Sequence, residues 1–417
     1  MFTLAIKSFR NRKFTTTLTI VAISLSVTLL LGVERIRKEA RTSFTNTISG
    51  TDLIVGARSG PVQLLLYSVF HIGNATNNIS WESYQEIARN PSINWTIPIS
   101  LGDSHQGYRV MGTNSDYFKF LRFAGRRRLE MANGRIFEGV FDAVLGAEVA
   151  EALGYRIDDS IIIAHGAGKV SFIKHDDKPF KVVGILKKTG TPVDQTVHVR
   201  LEGIEAIHID WKNGAPIPGQ SISSDRVLTM DLSPKTVTAF LIGLKSRIKA
   251  FGVQRYVNKY PREPLLAILP GVALQELWDL IGVAEKALLA VSAFVVVVGL
   301  SGMLIALMTS LGERRREMAI LRSVGARPLH VFSLILGESA MLTMAGVIAG
   351  VAMLYGLLFS CRSLILSKFG FFIAIRGLST YELILTGVVC LAGFLIGIIP
   401  GYQIYRYSLA DGMTIRI

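Results

Sequence analysis

Long charge-free runs separated by mixed polar stretches give the first division of this chain. Phe14–Val33 holds 20 residues without a charge, about the length a helix needs to cross the hydrocarbon of a bilayer. Ala287–Gly312 is again charge-free, a third run from Val331 to Cys361 is broken only by Glu338, and a fourth covers Leu383–Tyr405. Each predicts a helix, because backbone polar groups in lipid must find partners within their own segment. The first run has Lys7, Arg10, Arg12 and Lys13 before it, like a signal peptide. Its apolar core is too long, no small-x-small cleavage site follows, and Glu34–Glu39 continues in helical character, so an anchored helix is expected.

The expected organisation is therefore a membrane protein of four transmembrane α-helices, with an α+β extracytoplasmic domain inserted between helices 1 and 2. Residues 1–33 form the cytoplasmic amino-terminal segment and first span, and 34–282 the external domain with its stalk helices. The second span is 283–312, a cytoplasmic loop 313–330, the third span 331–361 and a short external loop 362–382. The fourth span is 383–405 and a cytoplasmic tail 406–417. Orientation follows from basic short loops: Arg314, Arg315, Arg316, Arg322 and Arg327 place 313–330 inside, although Arg362, Lys368 and Arg376 weaken the bias across the other hairpin.

The external stretch mixes signals. Trp81–Arg89 reads as a helix after Ser80, and Ala147–Leu153 as a helix closed by Gly154. Ile93–Leu101 and Gln106–Gly112 read as strands around a turn at Gly102-Asp103, Pro179–Leu186 as a strand, and Ser233–Lys249 as a helix entered through Pro234. Strands mixed with helices indicate α+β. Val33–Ser49 and Pro270–Lys286 can prolong the first two spans outward as a stalk.

Composition agrees with lipid more than with water: half the residues are hydrophobic, 18% are charged, and the mean hydropathy is +0.41. The net charge of +14 comes with no nucleic-acid-reading motif, and many basic residues flank apolar runs, so no nucleic-acid partner is expected. Cys361 and Cys390 lie in or beside apolar runs and make neither a disulfide framework nor a zinc pattern. His165, His175, His198 and His208 share one region with Asp176 and Asp177, but no HxxxH or HExxH spacing occurs. Solvated or strand histidines are expected there, and no metal. Gly166-Ala167-Gly168-Lys169 fails as a phosphate loop, because Ile163 replaces the first glycine and Val170 the magnesium-binding hydroxyl. No nucleophile constellation stands out, so no catalytic residue is assigned.

The segment Glu313–Arg327 is the most informative. As a helix it sets Ile320 and Val324 four apart, likewise Glu317 and Leu321, with Arg315, Ala319 and Arg322 on another side. Gly325 and Pro328 end it. Periodicity leaves two readings open, an anchor lying on headgroups or a docking helix. Glu338 is an ionisable group inside a span; pairing with Arg322 or Arg327 at the boundary is expected over direct coupling. Gly299, Ser301, Gly302, Gly346, Ala349 and Gly350 would allow close helix packing, including at a dimer interface.

Glu-Arg-Arg-Arg-Glu-Met-Ala-Ile-Leu-Arg-Ser-Val-Gly-Ala-Arg over 313–327 resembles the signature after the second span of MacB/FtsX-type ABC permeases, which include LolC and LolE. Gly337-Glu338-Ser339 with Gly346 and Gly350 is similar to that family's third span. Val144–Gly154 and Phe180–Leu186 resemble its outer domain, although Asp159-Ser160 stands where Gly-Asp is usual. Asp52–Pro61 is not assigned to the pattern of the macrolide or lipoprotein exporters, so substrate is not copied from them.

The resemblance implies a bacterial inner-membrane subunit with both termini cytoplasmic, a separate cytoplasmic ABC ATPase that carries ATP and magnesium, and a second permease copy. It implies ATPase docking by Glu313, Arg314, Arg316, Glu317, Met318, Ile320, Leu321 and Arg322, with no cofactor on this chain. It also implies an external substrate or partner protein: a lipoprotein, lipid, peptide or efflux assembly. A signalling module acting on an external hydrolase, or a metal-linked transport component, are the alternative readings.

Overall fold

The computed structural model describes residues 13–166, 177–212, 215–216, 222–323, 325–369 and 376–406. Four helices in it are long and apolar enough to span a membrane: Lys13–Thr42, Pro270–Leu311, Pro328–Cys361 and Thr380–Arg406. The described residues fall into two compact units. One lies within Met1–Glu39, Gly282–Leu366 and Ile373–Ile417, the other within Ala40–Ile281 and Ser367–Phe372.

The helical unit is held by apolar contact and by glycines that let helices approach. Ile23, Val27, Leu30 and Leu31 of the first span pack with Leu300, Met303, Leu307 and Leu354 of the second and third. A Cβ on Gly346 would stand 2.6 Å from Ile23, and one on Gly350 would stand 2.8 Å from the Ser24 carbonyl oxygen. Gly299 faces Ser26 in the same way. These three glycines let the second and third spans approach the first closely within one chain. Ser301 and Gly302 are exposed and Ala349 is half-buried. Hydroxyls support the same seams: Ser26 donates to the Val295 carbonyl at 3.1 Å and Thr28 to the Gly350 carbonyl at 2.9 Å. With lipid as the alternative environment, close backbone approach and such bonds are the forces left to join helices.

The fourth span begins with a capping box. The Ser379 hydroxyl accepts from the Glu382 N–H while the Glu382 carboxylate accepts from the Ser379 N–H at 2.6 Å. Its helix Thr380–Ile396 gives way to Ile398–Arg406 at Gly397, since Pro400 has no N–H for the Ile396 carbonyl.

In the second unit, eleven strands among the described residues join one mixed sheet. Its order is Leu265–Ile268, Leu53–Ala57, Ala239–Leu244, Ile93–His105, Tyr108–Thr113, Thr196–Arg200, Asp142–Leu145, Phe180–Leu186 and Met131–Gly134. Ala164–His165 pairs with Ile93–His105, and Ser160–Ile161 with Phe180–Leu186. Two pairings are parallel, Phe180–Leu186 on Asp142–Leu145 and Thr196–Arg200 on Tyr108–Thr113. One apolar layer gathers Ile54, Leu64, Ile97, Met111 and Leu241; another gathers Leu53, Val55, Phe240, Ile242 and Val257. The opposite faces of single strands thus serve different layers, as a period of two requires.

Several expected elements are present. Helix Trp81–Ala88 starts at Ser80, whose hydroxyl accepts from the Ser83 N–H. Helix Ala147–Leu153 ends on Gly154 at φ 72°, and strand Phe180–Leu186 stands where the alternation put it. Others are corrected. Ser233–Lys249 is not a helix: Thr236–Val237 and Ala239–Leu244 are strands, and helix begins only at Ala250 after a turn at Arg247–Lys249. Ala239–Leu244 is buried almost throughout between two neighbouring strands, and this burial outweighs the helix start that Ser-Pro suggested. The turn is not at Gly102-Asp103. It falls at Gln106-Gly107, both with positive φ, while Gly102 is the extra residue of a bulge. Asp52–Pro61 supplies the buried strand Leu53–Ala57 and the turn into helix Pro61–Val69.

Candidate functional site

The segment expected to be a separate surface helix is instead the end of a much longer one. Helix Pro270–Ser323 runs 54 residues without interruption, so the second span and residues 313–323 are one rod. Good helix formers fill the junction, and no glycine or proline after Gly312 interrupts it before Gly325, which takes φ +100° and closes it. The next helix, Pro328–Phe369, opens on its proline. The side chains of Glu313, Arg314, Arg316, Glu317, Met318, Leu321 and Arg322 lie outside the described residues. Ile320 is 58% exposed, an apolar side chain standing free of the core on this rod.

Glu338 sits inside the helical unit, 6% exposed, on a cavity of about 340 Å³ shared with Lys13, Thr16 and Thr19 of the first span and Leu307 and Ser310 of the second. It is thus enclosed by the first and second spans rather than lying on an outer surface. Cys361 and Cys390 are free thiols, both half-buried.

A second constellation lies on the sheet domain, and the structure divides the candidate histidines there. His165 and His208 meet; His198 is separate; His175 lies outside the described residues, as do Ala167, Gly168 and Lys169. His165 stands directly across the ladder from Asp103, with its Nδ1 at 3.1 Å from Asp103 Oδ1. His208 closes helix Leu201–His208, and its Nε2 lies 3.6 Å from the same oxygen. A backbone carbonyl can only accept, so the 2.9 Å contact of His208 Nδ1 with the Ile204 carbonyl puts the ring proton on Nδ1. Trp211 packs against both rings, with centroids at 5.6 and 5.5 Å. The hydrogen bond to Asp103 raises the pKa of His165. Sequence reading missed Asp103 because Gly-Asp looks like a turn; the bulge at Gly102 aims it inward instead.

Lys178 is fully buried, and its ammonium donates to Asp177 at 2.6 Å and to Asp210 at 2.8 Å. Asp210 follows His208 by two residues, so the ion pair fixes the segment that carries the histidine and Trp211.

His198 is fully buried beside Tyr117 and Phe118, with Nδ1 at 3.2 Å from the Val144 carbonyl. Burial drives its pKa down to about 3, and burial with the charge of Arg109 drives His71 down to about 4. Both are neutral in the native domain, whereas in the unfolded chain they take up protons below about pH 6.5. Between those values the unfolded state binds more protons, so stability falls as pH falls. The slope is roughly 1.4 kcal/mol per pH unit for each histidine. The thermal midpoint of the full-length protein should drop steeply from pH 7 to pH 5, and a flat profile would refute the assignment.

A multi-pass apolar helical unit joined to a large mixed-sheet domain defines a membrane protein of the permease class with an extramembrane α+β domain. Residues 16–225, half of the chain, match the MacB-like periplasmic core domain, and residues 289–409 match the FtsX-like permease carboxyl-terminal domain. The chain belongs to the MacB/FtsX-like ABC transporter permeases, a family whose members work with an ATPase and often with a second permease. Solved structures similar to it include the extracellular domain of the noncanonical ABC-type transporter YknZ from Gram-positive bacteria, at 12% identity and a TM-score of 0.31, covering 52% of this chain and 99% of that one. Another is the periplasmic region of MacB from Actinobacillus actinomycetemcomitans, at 10% identity and a TM-score of 0.33, covering 55% of this chain and 94% of that one. No curated protein sequence matches the chain.

Proposed function

We propose that this chain is the permease subunit of a MacB/FtsX-type ABC transporter, coupling ATP hydrolysis on a separate cytoplasmic ATPase to movement of its external domain. The observation that carries this reading is the uninterrupted helix Pro270–Ser323. A rod of this kind cannot absorb displacement by bending at a loop, so force applied at Glu313–Arg322 travels along the second span. The exposed Ile320, among arginines and glutamates, suits a groove that offers both apolar and charged contacts. Helices Lys13–Thr47 and Pro270–Ser323 each contribute to both compact units, which gives the motion a path to the sheet domain. The proposed assembly holds two permease copies in a bacterial inner membrane, with both termini cytoplasmic and ATP and magnesium on the partner. The external domain acts on an extracytoplasmic lipoprotein, lipid, peptide or efflux assembly.

The test is affinity purification of the full-length chain from its native membranes. An ATPase with Walker motifs should co-elute with the wild type. It should be lost from Leu321→Asp and Ile320→Asp, while both variants stay in the membrane fraction. Retention of the ATPase by both variants would remove the docking assignment.

A further inference from the structure

We propose that Asp103, His165 and His208 form a site for one divalent transition-metal ion of the zinc class on the sheet domain. Their ligand atoms all lie within 4.8 Å of one another. Zinc takes nitrogen and carboxylate oxygen at about 2.0–2.2 Å, so two ligands on a tetrahedron stand roughly 3.3 Å apart. Asp103 Oδ1 lies 3.1 Å from His165 Nδ1 and 3.6 Å from His208 Nε2, on either side of that spacing. An ordinary Asp–His hydrogen bond accounts for the first contact. With one ring proton on Nδ1, His208 can offer Nε2 to a cation that Asp103 Oδ1 also binds.

The surroundings match those of a metal site. Asp103 is 3% exposed and held on a sheet strand, where the adjacent bulge sets its direction. His165 is fixed opposite it by the ladder. His208 donates its other ring nitrogen to a carbonyl, the outer contact that orients a ligating imidazole. Trp211 limits rotation of both rings, and the buried Lys178–Asp210 pair anchors the segment. Two imidazoles and one carboxylate do not suit calcium or magnesium, which require mainly oxygen. Three protein ligands leave one position open, and His165 is half-exposed to solvent. That arrangement fits an ion that loads and leaves, in contrast to the closed four-ligand sites that hold folds together.

The experiment uses the full-length chain in detergent, with any affinity tag removed and metal stripped by a chelator. Equilibrium dialysis against Zn²⁺ should give one ion per chain, and Co²⁺ should give the intense visible bands of a low-coordinate site. Asp103→Asn, His165→Ala and His208→Gln should each weaken binding at least about 100-fold, the upper end of what even outer-shell changes cause. His330→Ala, which removes an exposed histidine elsewhere, should leave it unchanged. Folding is controlled by the thermal midpoint of His165→Ala, whose half-exposed ring contributes little to the core. Absence of stoichiometric binding, or equal affinity in the folded His165→Ala variant, would overturn the site.

Discussion

Lys178→Met should be the most damaging single substitution in the sheet domain, costing about 3–5 kcal/mol, the range seen when one partner of a buried ion pair is removed. Lys178 is 0% exposed and Asp210 only 6%, so the methionine would leave a carboxylate buried with little beyond a 3.4 Å contact from the Ile222 N–H. The cost comes from that stranded charge more than from the pair itself. Lys178→Met combined with Asp210→Leu should therefore recover at least half of the loss, because no uncompensated ion remains. For a domain of this size, the single variant should lower the thermal midpoint by roughly 10 °C. A scan of the three purified full-length proteins checks it, and an unchanged midpoint for Lys178→Met would show that the pair is not anchoring the His208–Trp211 segment.

Arg35→Met should be the most damaging change in the helical unit. Arg35 and Glu382 are 4% and 3% exposed and lie 3.7 Å apart, tying the first span to the start of the fourth. The guanidinium also donates to the Arg376 carbonyl and, at 3.4 Å, to the Tyr355 hydroxyl, over whose ring it sits at 5.5 Å. Tyr355 donates to the same carbonyl at 2.8 Å. One planar cation thus joins three helical elements, which the point charge of lysine cannot copy. Removing it leaves Glu382 buried beside apolar helices, with a cost again of about 3–5 kcal/mol. Arg35→Lys should lose a large part of that stability, and Arg35→Met with Glu382→Gln should lose less than Arg35→Met alone. Thermal unfolding in detergent, followed by loss of monodisperse protein, gives the order. Arg35→Lys behaving as wild type would contradict the role given to the guanidinium fork.

Much of the helical unit could be read from the chain because its cause is local. Charge-free length defines the candidate spans, Gly325 and Pro328 mark one boundary, and both features sit within a few residues of what they specify. The same holds for helices at Ser80 and Gly154, where a cap and a left-handed glycine act on their own turn. Ser233–Lys249 was misread because its fate depends on remote strands: Phe240 and Leu241 align with Val55 and Ile54, and with Pro98 and Ile97. The continuity of helix Pro270–Ser323 was hidden by charge, since a basic segment after a span looks like a loop until the backbone is seen to continue. Asp103 and His165 are 62 residues apart and meet only through strand pairing, so no motif spacing could announce them. Arg35 and Glu382 show the same limit: each looks like a flank of its own helix.

On the proposed function, nucleotide on a partner ATPase moves this helical unit through the end of helix Pro270–Ser323. The most direct measurement is pulsed EPR on the reconstituted complex, with Cys361 and Cys390 replaced by alanine and spin labels at Ser323→Cys and Tyr402→Cys. Both positions are exposed, lie outside the proposed docking residues, and sit on different helices of the same unit. The dominant distance is expected to shift between nucleotide-free and ATP–vanadate states. One unchanged distance distribution in a complex that still hydrolyses ATP would contradict it.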